Sequence, residues 1–283
     1  MSALQLLSEH ACFGGVQRFY QHDSAVIGLP MKFGIYLPPQ ARTEKVPVLF
    51  YLAGLTCTEE TFAIKAGAQR FAAGHGLAIV TPDTSPRGAN VPGESDCWDF
   101  GVGAGFYIDA TQAEWARHYR MESYIVGELP ALMSHALPLN MQRAGIFGHS
   151  MGGHGALTLA LKYPALFRSV SAFAPIAAPA QCPWGEKAFT GYLGADREVW
   201  KRHDASELMA RAKAPFHGGI LIDQGLADKF LPDQLNPDRF EAACLAAGQT
   251  LTLRRHEGYD HGYYFISTFV ADHVAHHAGI LRG

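Results

Sequence analysis

Apolar residues along this chain follow two alternating patterns. Short continuous apolar runs recur at residues 46–54 (VPVLFYLAG), 77–83, 144–150, 169–175, 218–225 and 250–255, each bounded by turn-forming residues. Runs of this length predict strands buried on both faces. Two earlier runs, 17–24 and 32–38, predict an antiparallel hairpin. Between the strands, apolar residues spaced three and four apart predict helices over 119–136, 151–163, 239–247 and 266–278. Pro130 is expected to bend the first of these or to mark its first turn, and Gly248 is a fitting C-cap for the third. Strands alternating with helices imply right-handed crossovers and a mostly parallel sheet. Ligands then bind beyond the carboxyl ends of the strands.

One strand-to-helix junction carries chemistry. Gly148-His149-Ser150-Met151-Gly152 is a G-x-S-x-G sequence that ends an apolar strand and opens a helix. That context is what a nucleophile elbow requires, and it predicts an α/β-hydrolase fold with a mostly parallel central sheet of about eight strands flanked by helices. Ser150 would project from the turn at the helix N-terminus, where partial positive charge favours an oxyanion. The alternative is an ordinary Gly-rich turn with Ser150 as N-cap.

A serine nucleophile needs a base and an orienting acid, which follow it in the order acid, then histidine. His261 lies in the loop after the last predicted strand and is preferred as base to His256, which sits at the strand end itself. Asp228 lies just beyond the carboxyl end of the 218–225 strand and is preferred as acid; Asp223 lies within that strand and reads as structural, while Asp233 and Asp238 read as turn residues. The oxyanion donors are expected to be the backbone N–H groups of Met151 and Leu55, each contributing about 3 kcal/mol of transition-state stabilisation. His273 and His277 are one helical turn apart; without an apparent third ligand they read as a half-buried or solvated face.

Composition narrows the partners. The 283 residues carry a formal net charge of −3, with 48% hydrophobic residues, so no basic surface for nucleic acid is expected. No apolar run approaches the ~20 residues of a membrane span, and the first residues lack the basic start of a signal peptide. Five scattered cysteines without a CxxC argue against a disulfide framework or structural zinc and fit the cytosol. With no repeat or linker, one domain over 1–283 is expected.

The segments LAGLTCTEETF, PDTSPRG, CWDFGVGAGFYIDAT, GHSMGGHGAL, DQGLADKF and GYDHGYYF run in order across most of the chain. Together they resemble the S-formylglutathione hydrolase (esterase D) family. That resemblance implies a cytosolic α/β-hydrolase that cleaves S-formylglutathione to formate and glutathione in formaldehyde detoxification, without metal or other cofactor. It implies catalytic Ser150, Asp228 and His261, an oxyanion hole at Leu55 and Met151, and Cys57 as a nearby thiol whose modification affects activity. The partner expected is a small glutathione thioester, with neither nucleic acid nor membrane; a homodimer is the assembly considered. Trp98, Phe106 and Trp184 are candidates for a small acyl pocket, with plain core packing as the alternative. Lys65, Arg87 and Lys187 are candidates for glutathione carboxylates, with solvated surface charge as the alternative.

Overall fold

The computed structural model of the protein describes residues 3–282. Nine strands form one sheet in the order β1-β2-β3-β5-β4-β6-β7-β8-β9. They are β1 (Gln5–Cys12), β2 (Gly15–Asp23), β3 (Pro30–Leu37), β4 (Val46–Leu52), β5 (Ala78–Pro82), β6 (Leu139–His149), β7 (Phe167–Phe173), β8 (Ile220–Gly225) and β9 (Leu251–His256). The pairs from β1 through β3 to β5 are antiparallel. Those from β5 through β4 to β9 are all parallel. The eight strands expected from the sequence are present, and β1 is additional. Most of its positions are exposed, so it lacks an alternating apolar face.

The core lies on both faces of the parallel strands β4 to β8; β9, expected from its sequence to be buried on both faces as well, is the edge strand and none of its positions is buried. Val48, Leu49, Phe50, Tyr51 and Leu52 are all fully buried on β4, which is why that segment reads as an unbroken apolar run. Val48, Leu49, Phe50 and Leu52 each gain roughly 1.5–3 kcal/mol by leaving water. The helices Met151–Lys162 and Tyr263–Leu281 pack on the sheet beside β6 and β7. No helix among the described residues is long and apolar enough to cross a membrane.

The stretch predicted as one helix over 119–136 is broken in a specific way. Helix Met121–Ser123 continues through a π-helical turn, Tyr124–Glu128, into helix Leu129–Ala136, and Leu129 N–H donates to the Tyr124 carbonyl. Pro130 has no N–H to give and sits just after this wider turn. A π-turn there absorbs the register change that proline imposes. The short helices Glu59–Lys65, Gln69–His75 and Pro183–Leu193 were not legible as helical periodicity.

Strand order positions the site. β6 is central, flanked by β4 and β7, with Leu52 opposite Gly148 and His149 opposite Phe173. The loop leaving β4 therefore emerges beside Ser150. β7, β8 and β9 follow in order, so the loops after β8 and β9 open on the same edge.

Candidate active site

Ser150 joins β6 to the helix Met151–Lys162 with φ 59° and ψ −119°. Side chains other than glycine seldom adopt this conformation, and it persists only where the surroundings fix it. Here they do. Ser150 N–H donates to Phe173 O at 3.0 Å, and its carbonyl accepts from His154 N at 2.9 Å and Ile176 N at 3.2 Å. The flanking glycines are required by space. A Cβ on Gly148 would lie 2.2 Å from Gly152 O, and one on Gly152 would lie 1.9 Å from Leu52 O.

His261 lies in the loop between β9 and helix Tyr263–Leu281. Its Nδ1 is 2.5 Å from Oδ2 of Asp228. Because the ionised carboxylate only accepts, this contact puts the imidazole proton on Nδ1 and leaves Nε2 basic. Asp228 is buried, and its Oδ1 accepts from Phe230 N–H at 2.9 Å. Phe230 also meets the His261 ring edge-on, with centroids 5.0 Å apart. The ring of His149 lies 4.4 Å from that of His261, centroid to centroid. Burial, reinforced by the neighbouring His261, holds His149 well below the ordinary imidazole range. A neutral His149 places no cation against the His261 ring.

Ser150 and His261 line one cavity of about 140 Å³, together with Leu55, Cys57 and His149. Gly54, Trp98, Trp184, Phe230 and Tyr263 form the rest of its wall. Trp98 is 55% exposed and meets Trp184 edge-on at 5.6 Å. The structure does not bring Phe106 to this cavity. It is fully buried near His154 and Phe189, and its carbonyl is 3.1 Å from His154 Nε2. The sequence shows that Phe106 is aromatic but not which way it faces. Met151 is buried as the first residue of its helix, where its N–H has no intrahelical acceptor. Burial pushes the Cys57 thiol up, against the hydrogen bonds of Thr61 and Tyr263.

The other sequence candidates have separate partners. Asp223 is buried under hydrogen bonds from Arg254 Nε and Nη2, both at 2.6 Å, and it is 3.2 Å from both His256 Nε2 and His273 Nε2. His273 and His277 are fully buried, which corrects their reading as a half-buried or solvated face. Ser171 Oγ lies 2.8 Å from both His273 Nδ1 and His277 Nε2, and Ser169 Oγ lies 2.6 Å from His277 Nδ1. Arg87 pairs with Asp83, Lys187 pairs with Asp99, and Lys65 lies over the Tyr263 ring. His149, Phe230 and Tyr263 are site residues that motif reading passed over. Each stands within two positions of Ser150, Asp228 or His261, which is the signal that would have found them.

The sheet and its strand–serine–helix elbow are those of the α/β hydrolases. A model of the esterase family matches residues 24–276. The S-formylglutathione hydrolase of Bos taurus is 54% identical over 281 residues, 99% of each chain. That of Paracoccus denitrificans is 52% identical over 276 residues, 98% of each chain. A solved S-formylglutathione hydrolase from Agrobacterium tumefaciens superposes with a TM-score of 0.95 at 49% identity, covering 98% of this chain and 99% of its own. This chain is an esterase-class enzyme and belongs to the S-formylglutathione hydrolase family.

Proposed function

We propose that the chain hydrolyses S-formylglutathione to formate and glutathione through a formyl-enzyme, as a step in formaldehyde detoxification. The Ser150 hydroxyl attacks the thioester carbonyl carbon while His261 Nε2 takes its proton. Asp228 holds the ring in that tautomer and stabilises the imidazolium. The oxyanion of the tetrahedral intermediate accepts from the N–H groups of Leu55 and Met151. Its collapse breaks the carbon–sulfur bond, and His261 returns the proton to the departing thiolate. Water then attacks the formyl ester with His261 again as base, releasing formate and restoring Ser150.

The contact of His261 Nδ1 with Asp228 Oδ2 at 2.5 Å, with His261 and Ser150 on one cavity, carries this reading. The cavity's small size supports a short acyl group. Names and sequence identity of the relatives support glutathione as the leaving group. The five free cysteines support a reducing compartment such as the cytosol.

A broader short-chain carboxylesterase is the second reading. Much of the cavity wall is aromatic, and Arg87 and Lys187 are already paired within the chain. Steady-state kcat/KM on S-formylglutathione and on an aryl acetate separates the two. Preference for the thioester is expected, and preference for the aryl ester would put the second reading in front. Ser150→Ala should lose roughly a million-fold in kcat in both assays. Retention of a tenth of the activity would remove Ser150 as nucleophile.

A further inference from the structure

The loop that leaves β4 holds the Leu55 N–H, and it is strained. Thr56, a β-branched residue, has φ 67°. Such a residue in the left-handed region is strained and persists only when its surroundings over-determine it. The segment PDTSPRG, which follows β5, supplies those surroundings. Thr84 Oγ1 donates to the Cys57 carbonyl at 2.6 Å, and Arg87 Nη2 donates to the same oxygen at 3.2 Å. Arg87 is aimed by a two-pronged pair with the buried Asp83, Nε to Oδ2 at 2.6 Å and Nη2 to Oδ1 at 2.8 Å. A third tie runs through Ser85. Its hydroxyl accepts from Gly103 N–H at 2.8 Å, and the Gly103 carbonyl accepts from Thr56 N–H at 2.9 Å. Glycine suits position 103, with φ 78° and so close an approach that a Cβ would lie 3.1 Å from Thr56 Cα.

We propose that Thr84 and Arg87 are positioning residues for the oxyanion hole, holding the Cys57 carbonyl so that the strained loop keeps the Leu55 N–H on the reacting oxygen. The proposal rests on the reading that Ser150 is the nucleophile and Leu55 a donor. Neither side chain lines the cavity shared by Ser150 and His261. Their effect should therefore fall on transition-state stabilisation rather than on substrate binding. Thr84 is fully buried, and valine fills nearly its shape without the hydroxyl. Arg87 is 40% exposed at its side chain, so its replacement leaves no buried cavity.

The test uses Thr84→Val, Thr84→Ser and Arg87→Met, with rates normalised to sites titrated by a fluorophosphonate. Thr84→Val and Arg87→Met should each lower kcat about 10- to 100-fold, the scale of a small misplacement at the reacting centre, with KM within about threefold. A trifluoromethyl ketone, which forms an oxyanion with the serine, should weaken by a similar factor, while glutathione binding stays unchanged. Thr84→Ser should restore most of the loss. The proposal is overturned if both variants keep kcat within about threefold of the parent, or if KM rises while kcat holds. If Thr84→Val does not fold, Arg87→Met decides. Loss of the clamp alone would leave Ser150→Ala inactive, whereas an active Ser150→Ala would remove the mechanism on which the clamp depends.

Discussion

Asp223 and Asp228 are both buried carboxylates near one strand end, yet they face different histidines. Asp228 holds His261 and an N–H of its own loop; Asp223 is shared by Arg254, His256 and His273. Asp228→Asn should therefore lower kcat by roughly 10⁴-fold, because the amide favours the wrong imidazole tautomer. Asp223→Asn should leave kcat per folded molecule within about tenfold, and steady-state rates on one ester suffice to compare them. A severe Asp223→Asn with a mild Asp228→Asn would exchange their roles. Cys57 gives a second test at this scale. It lines the cavity, and burial raises its thiol, so alkylation should inhibit slowly at neutral pH and faster as pH climbs, since the thiolate reacts. Cys57→Ser should stay active and lose that sensitivity; an inactive Cys57→Ser would make sulfur part of the chemistry. Ser150, Asp228 and His261 were legible because spacing and order alone suffice to propose them. Phe106 was not, because a residue's facing depends on neighbours distant in sequence, here His154 and Phe189.

At the scale of elements, the Asp223 cluster ties β7, β8, β9 and the helix Tyr263–Leu281 together through Ser169, Ser171, Arg254, His273 and His277. Burial by itself would push the Asp223 carboxyl up, but hydrogen bonds from His273 and Arg254 hold it below the usual carboxylate range. The folded state thus favours the ionised form. That contribution is fully present above the unfolded value of about 3.9 and is lost as pH falls through the lower folded value. Asp223→Asn should cost about 3–5 kcal/mol near neutrality, as breaking a buried pair does. Denaturant unfolding should show the gap from the parent narrowing below about pH 4; a gap constant down to pH 3 would show that the carboxylate's charge is not what stabilises. The sequence displayed His273 and His277 only as an i, i+4 pair. Their burial depends on serines about a hundred positions earlier, which no local pattern reports. β1 escaped notice for the opposite reason, since an exposed edge strand has no apolar face to alternate. The inner parallel strands β4, β5, β7 and β8 were legible because burial on both faces writes itself as an apolar run; β9, at the edge, is not buried in this way.

For the whole molecule, the cavity of about 140 Å³ lined by the β4 loop and the aromatic wall favours a short acyl group on the reading proposed above. Activity should fall as the acyl group lengthens beyond acetyl. Misfit in a packed site costs roughly 1–3 kcal/mol, or about 5- to 150-fold in kcat/KM per added methylene once the space is full. Glutathione thioesters from formyl to butyryl, compared with matching aryl esters, measure this; a flat profile in both series would reject a size limit. The strand order has a further consequence, for biosynthesis. Ser150 follows β6, whereas Asp228 and His261 follow β8 and β9, so a nascent chain presents its nucleophile well before it has an acid or a base. β6 at that stage also lacks β7 on one side, leaving apolar strand edge exposed until the later strands emerge. The ribosome-bound protein should therefore be chemically silent, and an arrest series read with a fluorophosphonate should gain labelling abruptly, only once the segment through His261 has cleared the ribosome.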